Sequence, residues 1–127
     1  MGKETYIDAR YAPFEAAVPA DLVGKEDYYV ELVGGSRKIQ LYTNGLAIGV
    51  LHQGLQGGKE WSVRLLGCGG TYRARANGAI AHLADVKAEN GGKAVDQAGS
   101  GRALGYLLSP VAGAVAGDVC EILDVLA

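Results

Sequence analysis

The chain reads as an all-β protein, a small β-barrel or jelly-roll-like domain with an extended N-terminal arm. Three observations predict this. Glycine is abundant, 20 of 127 residues, and it clusters between apolar segments, as in a chain that turns often. The turn signals recur along the whole length: Gly34-Gly35, Asn44-Gly45, Gly57-Gly58, Gly69-Gly70, Asn77-Gly78, Asn90 to Gly92, Gly99 to Gly101 and Gly113 to Gly117. Their spacing is that of a sandwich or barrel. Between them, apolar and polar residues alternate with the period of a strand.

The elements follow in chain order. Residues 1–18 hold Pro13 and the large side chains Tyr6, Ile7, Tyr11 and Phe14, with no hairpin signal of their own. They are expected to form an arm that anchors on a partner, and residues 19–127 a single β domain. Tyr28, Val30 and Leu32 oppose Tyr29, Glu31 and Val33. Asn44-Gly45, flanked by Ile39 and Leu41 and by Ile48 and Val50, suits the tip of a two-residue hairpin, where both residues take positive φ. Trp61, Val63 and Leu65 share one face against Glu60, Ser62 and Arg64, which places Trp61 in the core. Tyr72, Ala74 and Ala76 likewise oppose Thr71, Arg73 and Arg75. Residues 79–88 fit either a short strand or a helical turn. Leu104, Tyr106 and Leu108 follow Arg102 on one face, and Asp118 to Leu126 is a central or closing strand.

Composition narrows the function. The net charge of −2 lacks the basic excess of a nucleic-acid binder. No apolar run is long enough for a transmembrane helix, and the N-terminus lacks a signal peptide's apolar core. Cys68 and Cys120 do not have metal-type spacing and are expected to be buried, reduced thiols of a protein made in a cytoplasm. His52 and His82 stand on separate segments, and no HExxH, CxxC, GxSxG or phosphate-loop pattern occurs. No catalytic residue, cofactor or metal site is expected, so the chain reads as a non-enzyme. Charge is uneven: Arg37, Lys38, Lys59, Arg64, Arg73 and Arg75 face Glu60 alone within residues 36–75. Such asymmetry suits docking between complementary patches.

A resemblance gives this pattern a function. Pro19 to Leu32 (PADLVGKEDYYVEL), Asn44 to Leu51 (NGLAIGVL) and Val63 to Gly67 (VRLLG) resemble the capsid cement, or head decoration, proteins of tailed bacteriophages. Gly78 to Ala81 (GAIA), Gly92 to Val95 (GKAV), Arg102 to Leu108 (RALGYLL) and Gly117 to Leu123 (GDVCEIL) continue it. The likeness runs from about residue 16 to the end. It implies a structural protein on the outer surface of the virion, which is assembled in the host cytoplasm. That protein would bridge neighbouring copies of the major capsid protein and stabilise the expanded head. Self-association is expected, as a trimer first and a dimer second, without nucleic acid or membrane. The expected capsid contacts are Tyr6, Ile7, Tyr11, Phe14, Arg64, Arg73 and Arg75. The alternative is a small β-barrel module for carbohydrate or another cell-surface ligand.

Overall fold

The structure, a computed structural model, describes residues 10–55 and 59–125. It confirms the all-β class. The strands are β1 (Tyr11–Glu15), β2 (Tyr29–Leu32), β3 (Ile39–Leu41), β4 (Ala47–Gly54), β5 (Glu60–Leu65), β6 (Thr71–Arg75), β7 (Asp85–Ala88), β8 (Ala94–Asp96), β9 (Gly105–Ser109) and β10 (Val119–Leu123). One 3-10 turn, Pro19–Leu22, follows β1. The strands make two five-stranded antiparallel sheets in the orders β1-β5-β4-β2-β3 and β6-β10-β9-β7-β8.

The second order is the first with every number raised by five, and the correspondence continues bond by bond. A parallel bridge joins Ala16 to Ile39, just past β1, and another joins Ala76 to Ala94, just past β6. Each brings the sheet's first strand round to its far edge and curls the sheet toward a barrel. Ala16 N–H donates to Lys59 O as Ala76 N–H does to Asp118 O. Asp27 N–H donates to Leu51 O as Leu83 N–H does to Leu107 O. Leu65 N–H donates to Arg10 O as Asp124 N–H does to Gly70 O. Asp27 and Leu83 also share a positive φ, 71° and 66°. The chain is therefore two tandem copies of one β unit: a first repeat starting at Arg10 and a second starting at Gly70.

The two interiors match in the same way. Phe14, Ala16, Leu22, Val30, Ile39, Leu51, Trp61 and Val63 fill the first repeat. Ala74, Ala76, Ile80, Val86, Ala94, Leu107, Cys120 and Ile122 take the corresponding places in the second. The first repeat is packed by Phe14 beside Trp61 across the β1–β5 ladder; the second has Ala74 beside Cys120 there. Both repeats also need one glycine where β4 or β9 crosses its neighbour. A Cβ on Gly49 would lie 2.6 Å from Val63 Cγ1, and one on Gly105 would lie 2.6 Å from Ile122 Cγ2. Trp61 is buried, as its alternation predicts, and so are Tyr72, Ala74 and Ala76. The stretch 118–126 supplies β10, the strand between β6 and β9.

Several expectations are corrected. Tyr11–Glu15 is not part of a free arm: it is β1, paired along its length with β5, and Phe14 is a core residue. Burying a side chain of that size contributes about 1.5–3 kcal/mol, so β1 belongs to the domain. Tyr6 and Ile7 lie outside the described residues, as does the expected turn at Gly57-Gly58. Asn44-Gly45 is not a hairpin tip, because β2 lies between β3 and β4. The connection instead wraps the buried carboxylate of Glu31, which accepts from Thr43 Oγ1 at 2.7 Å, Gln40 Nε2 at 2.7 Å and Gly45 N at 2.9 Å. Gly45 has no positive φ. In β9 the buried residues are Gly105 and Leu107, with Tyr106 outward, because Leu104 precedes the strand and caps the core. Residues 79–88 resolve into an isolated bridge at Ile80 and then β7. Cys68 and Cys120 are free thiols; Cys120 is buried, but Cys68 is exposed.

Candidate interaction surface

The two repeats meet along a seam that is neither flat nor apolar. From the first repeat come Tyr29 and Val50, on the outer faces of β2 and β4. Tyr72 and Leu104 come from the second, and all four sit in one buried cluster. Tyr72 Oη donates to Leu104 O at 2.9 Å, so the 2.8 Å contact between the two phenols is donated by Tyr29. Burial and that contact raise the Tyr29 phenol well above its ordinary range, and burial raises Tyr72 as well. Both stay protonated, as the chain of hydrogen bonds requires. Backbone bonds add to the seam: Arg75 N–H to Asp27 O at 3.0 Å, and Tyr29 N–H to Gly92 O at 2.7 Å.

A buried ion pair latches the seam. Arg64 Nη1 lies 2.8 Å from Asp124 Oδ2, and both side chains are almost fully removed from solvent. The guanidinium also donates to the carbonyls of Leu65, Gly69 and Thr71. The carboxylate accepts from Gly67 N and Cys68 N. Each charge is thus surrounded by partners, the condition under which such a pair is tolerated inside a protein. Sequence reasoning placed Arg64 on a solvent face by alternation. No local signal shows that its partner stands 60 residues away.

Beside the latch runs a groove of about 700 Å³, lined from both repeats by Tyr11, Glu26, Asp27, His52, Arg73 and Glu121 among others. The Tyr11 and His52 rings stand 4.8 Å apart, and the Arg73 guanidinium lies 3.6 Å from Asp27. Of the expected contact residues, Tyr11, Arg64 and Arg73 are brought together here, but only Arg73 is well exposed. Arg75 is half-buried and donates to Gly117 O at 2.9 Å. Phe14 points into the first core, with the Arg37 guanidinium 4.4 Å above its ring. Arg64 and Phe14 are therefore corrected from contact residues to structural ones: neither has surface to offer a partner. Burial and the Asp118 charge push the Cys120 thiol up, which keeps it protonated and unreactive. Among the described residues, no three metal-ligating side chains converge.

Fold and seam together define a duplicated all-β domain whose buried ion pair and phenol pair join its two halves. The chain is similar to a solved structure, the head fiber gp8.5 N base in bacteriophage phi29. The TM-score is 0.61, with 90% of this chain and 93% of that chain covered, at 14% identity. That likeness is one of fold. Comparison with protein-family models gives no match, and neither does comparison with curated proteins.

Proposed function

We propose that this chain is a structural protein of a tailed-phage head. It would bind the outer surface of the shell, cement neighbouring major capsid subunits and so stabilise the expanded lattice. The observation that carries the reading is the fold likeness to a phage head fiber base over nearly the whole of both chains. The glycine-spaced blocks from Pro19 to Leu123 point the same way through their resemblance to decoration proteins. The mechanism is linkage: a protein that binds the expanded lattice and not the compact one stabilises the former by mass action. Contacts to several subunits act together, so each can be weak. Self-association, trimer first and dimer second, raises that valency further.

Arg73, exposed at the groove, and the segment holding Tyr6 and Ile7 are the shell-contacting residues of this proposal. Purified protein mixed with heads that lack it is expected to co-sediment with expanded heads and to raise their disruption temperature. Deleting residues 2–9 is expected to weaken retention sharply. Absence of binding to expanded heads contradicts the proposal. The alternative, a module for carbohydrate or another cell-surface ligand, draws support from the groove and its Tyr11–His52 ring pair. Trp61 is buried and supplies no platform for it.

A further inference from the structure

A tandem repeat joined by a head-to-tail seam leaves, among the described residues, two faces without a partner. The face that the first repeat presents to the second has a counterpart on the second repeat. The face that the second presents to the first has a counterpart on the first. In the seam, the β2–β4 side of the first repeat meets the β6 edge of the second. The β1 edge matches β6, and the β7–β9 side matches β2–β4. We infer that these two unused faces dock on each other between copies of this chain, so that the molecule self-associates head to tail through a contact that repeats the plan of its own seam.

The residues at corresponding places support a second copy as the occupant. Asp27 meets Arg73 in the seam at 3.6 Å. Their counterparts are Leu83, 57% exposed, and Pro13, also exposed. An ion pair is thus replaced by an apolar pair, both members changed together. Val50 and Tyr72 pack in the seam. Their counterparts are the outward Tyr106, 39% exposed, and the small Ala12, so the bulk has moved from one side of the contact to the other. Tyr29 meets the β7–β8 turn through Gly92. The corresponding meeting sets Asp85 against the β2–β3 turn, which carries Arg37, giving opposite charges.

The backbone is ready as well. Arg75 N–H points off the β6 edge and finds Asp27 O. Ala16 N–H is turned toward Lys59, so its neighbour Glu15 points its N–H off the β1 edge by strand alternation. It stands where Arg75 stands in the seam, opposite Leu83 O of the next copy. Leu83 holds a positive φ while largely exposed, a conformation disfavoured for a bulky residue. The seam geometry explains it: this is the backbone shape that presents the carbonyl, as at Asp27. A contact between two different faces closes into a ring or runs on as a filament; the trimer proposed for shell binding is the ring form. The inference deepens that self-association and rests on the duplication alone, so it stands or falls separately from shell binding.

The test is mass measurement by light scattering on the full chain, with far-ultraviolet dichroism to confirm folding. The wild type is expected to self-associate with rising concentration. Leu83→Asp and Pro13→Arg, both at exposed positions, are each expected to be folded and monomeric. The double variant, Leu83→Asp with Pro13→Arg, recreates between copies the ion pair of the seam and is expected to regain assembly. Mixing the two single variants should also yield larger species through the reconstituted pair. A folded wild type that stays monomeric at all concentrations overturns the inference. So do single variants that assemble like wild type, and so does a folded double variant that remains monomeric.

Discussion

Asp124 is the residue on which the joint between the repeats depends most. Replacing it by Ala leaves the Arg64 guanidinium charged, buried and short of its acceptor, and frees the N–H groups of Gly67 and Cys68. Asp124→Ala is expected to cost about 3–5 kcal/mol in chemical denaturation. Removing both charges with Arg64→Met and Asp124→Leu is expected to recover much of that, because the desolvation of two ions is then avoided. Glu31 gives the fold a dependence on pH. Burial alone would raise its carboxyl, but the hydrogen bonds from Thr43, Gln40 and Gly45 outweigh that and hold it below its ordinary value. A carboxylate lowered in the folded state adds stability that is complete above its unfolded value, about 4.3, and is lost as pH falls through the folded value. Melting temperatures of the wild type should therefore drop more steeply below about pH 4 than those of Glu31→Gln. Neither device is legible in the sequence. Alternation places Arg64 outward, and nothing local links Glu31 to a loop 12 residues on.

β1 is the element whose role differs most between sequence and structure. Its proline, Pro13, and the absence of a turn suggest a detached arm, yet Phe14 packs in the core with Trp61 and Val63. A sequence shows that a segment has apolar anchors but not which body they anchor to. Deleting residues 10–16 is accordingly expected to abolish the near-ultraviolet dichroism of Trp61 and the cooperative melt. Glycine spacing, by contrast, serves the β class well, because a turn is a local event. It misleads at Asn44-Gly45, where a loop bound to Glu31 has the composition of a hairpin. The two glycines that pack most tightly, Gly49 and Gly105, stand inside alternating strands and carry no signal. Each sits against a neighbouring strand backbone, so Gly49→Ala and Gly105→Ala are each expected to cost about 1–3 kcal/mol by overpacking. At Gly45 an added Cβ meets only the movable end of Glu31, and Gly45→Ala should cost less in the same melts.

For the whole molecule, the duplication is invisible in the sequence because topology is kept while side chains are exchanged. Phe14 answers to Ala74, Trp61 to Cys120 and Ile39 to Ala94, and pairs that keep their residue, such as Ala16 with Ala76 and Leu51 with Leu107, are too few and too common in kind to mark a repeat. What does survive is the hydrogen-bond plan and the one glycine per repeat. The candidate surface is legible only in part: Arg73 is exposed, as its alternation predicts, whereas the groove beside it is assembled from strands far apart in sequence. The proposed function rests on the fold likeness and on the resemblance. The most direct measurement is single-particle electron microscopy of the heads of a phage that makes this chain, compared with heads in which its gene is deleted. Extra density is expected outside the shell, fitting the two-repeat fold and touching more than one capsid subunit. Identical shells with and without the gene, or density confined to the interior, would contradict a role in cementing the shell.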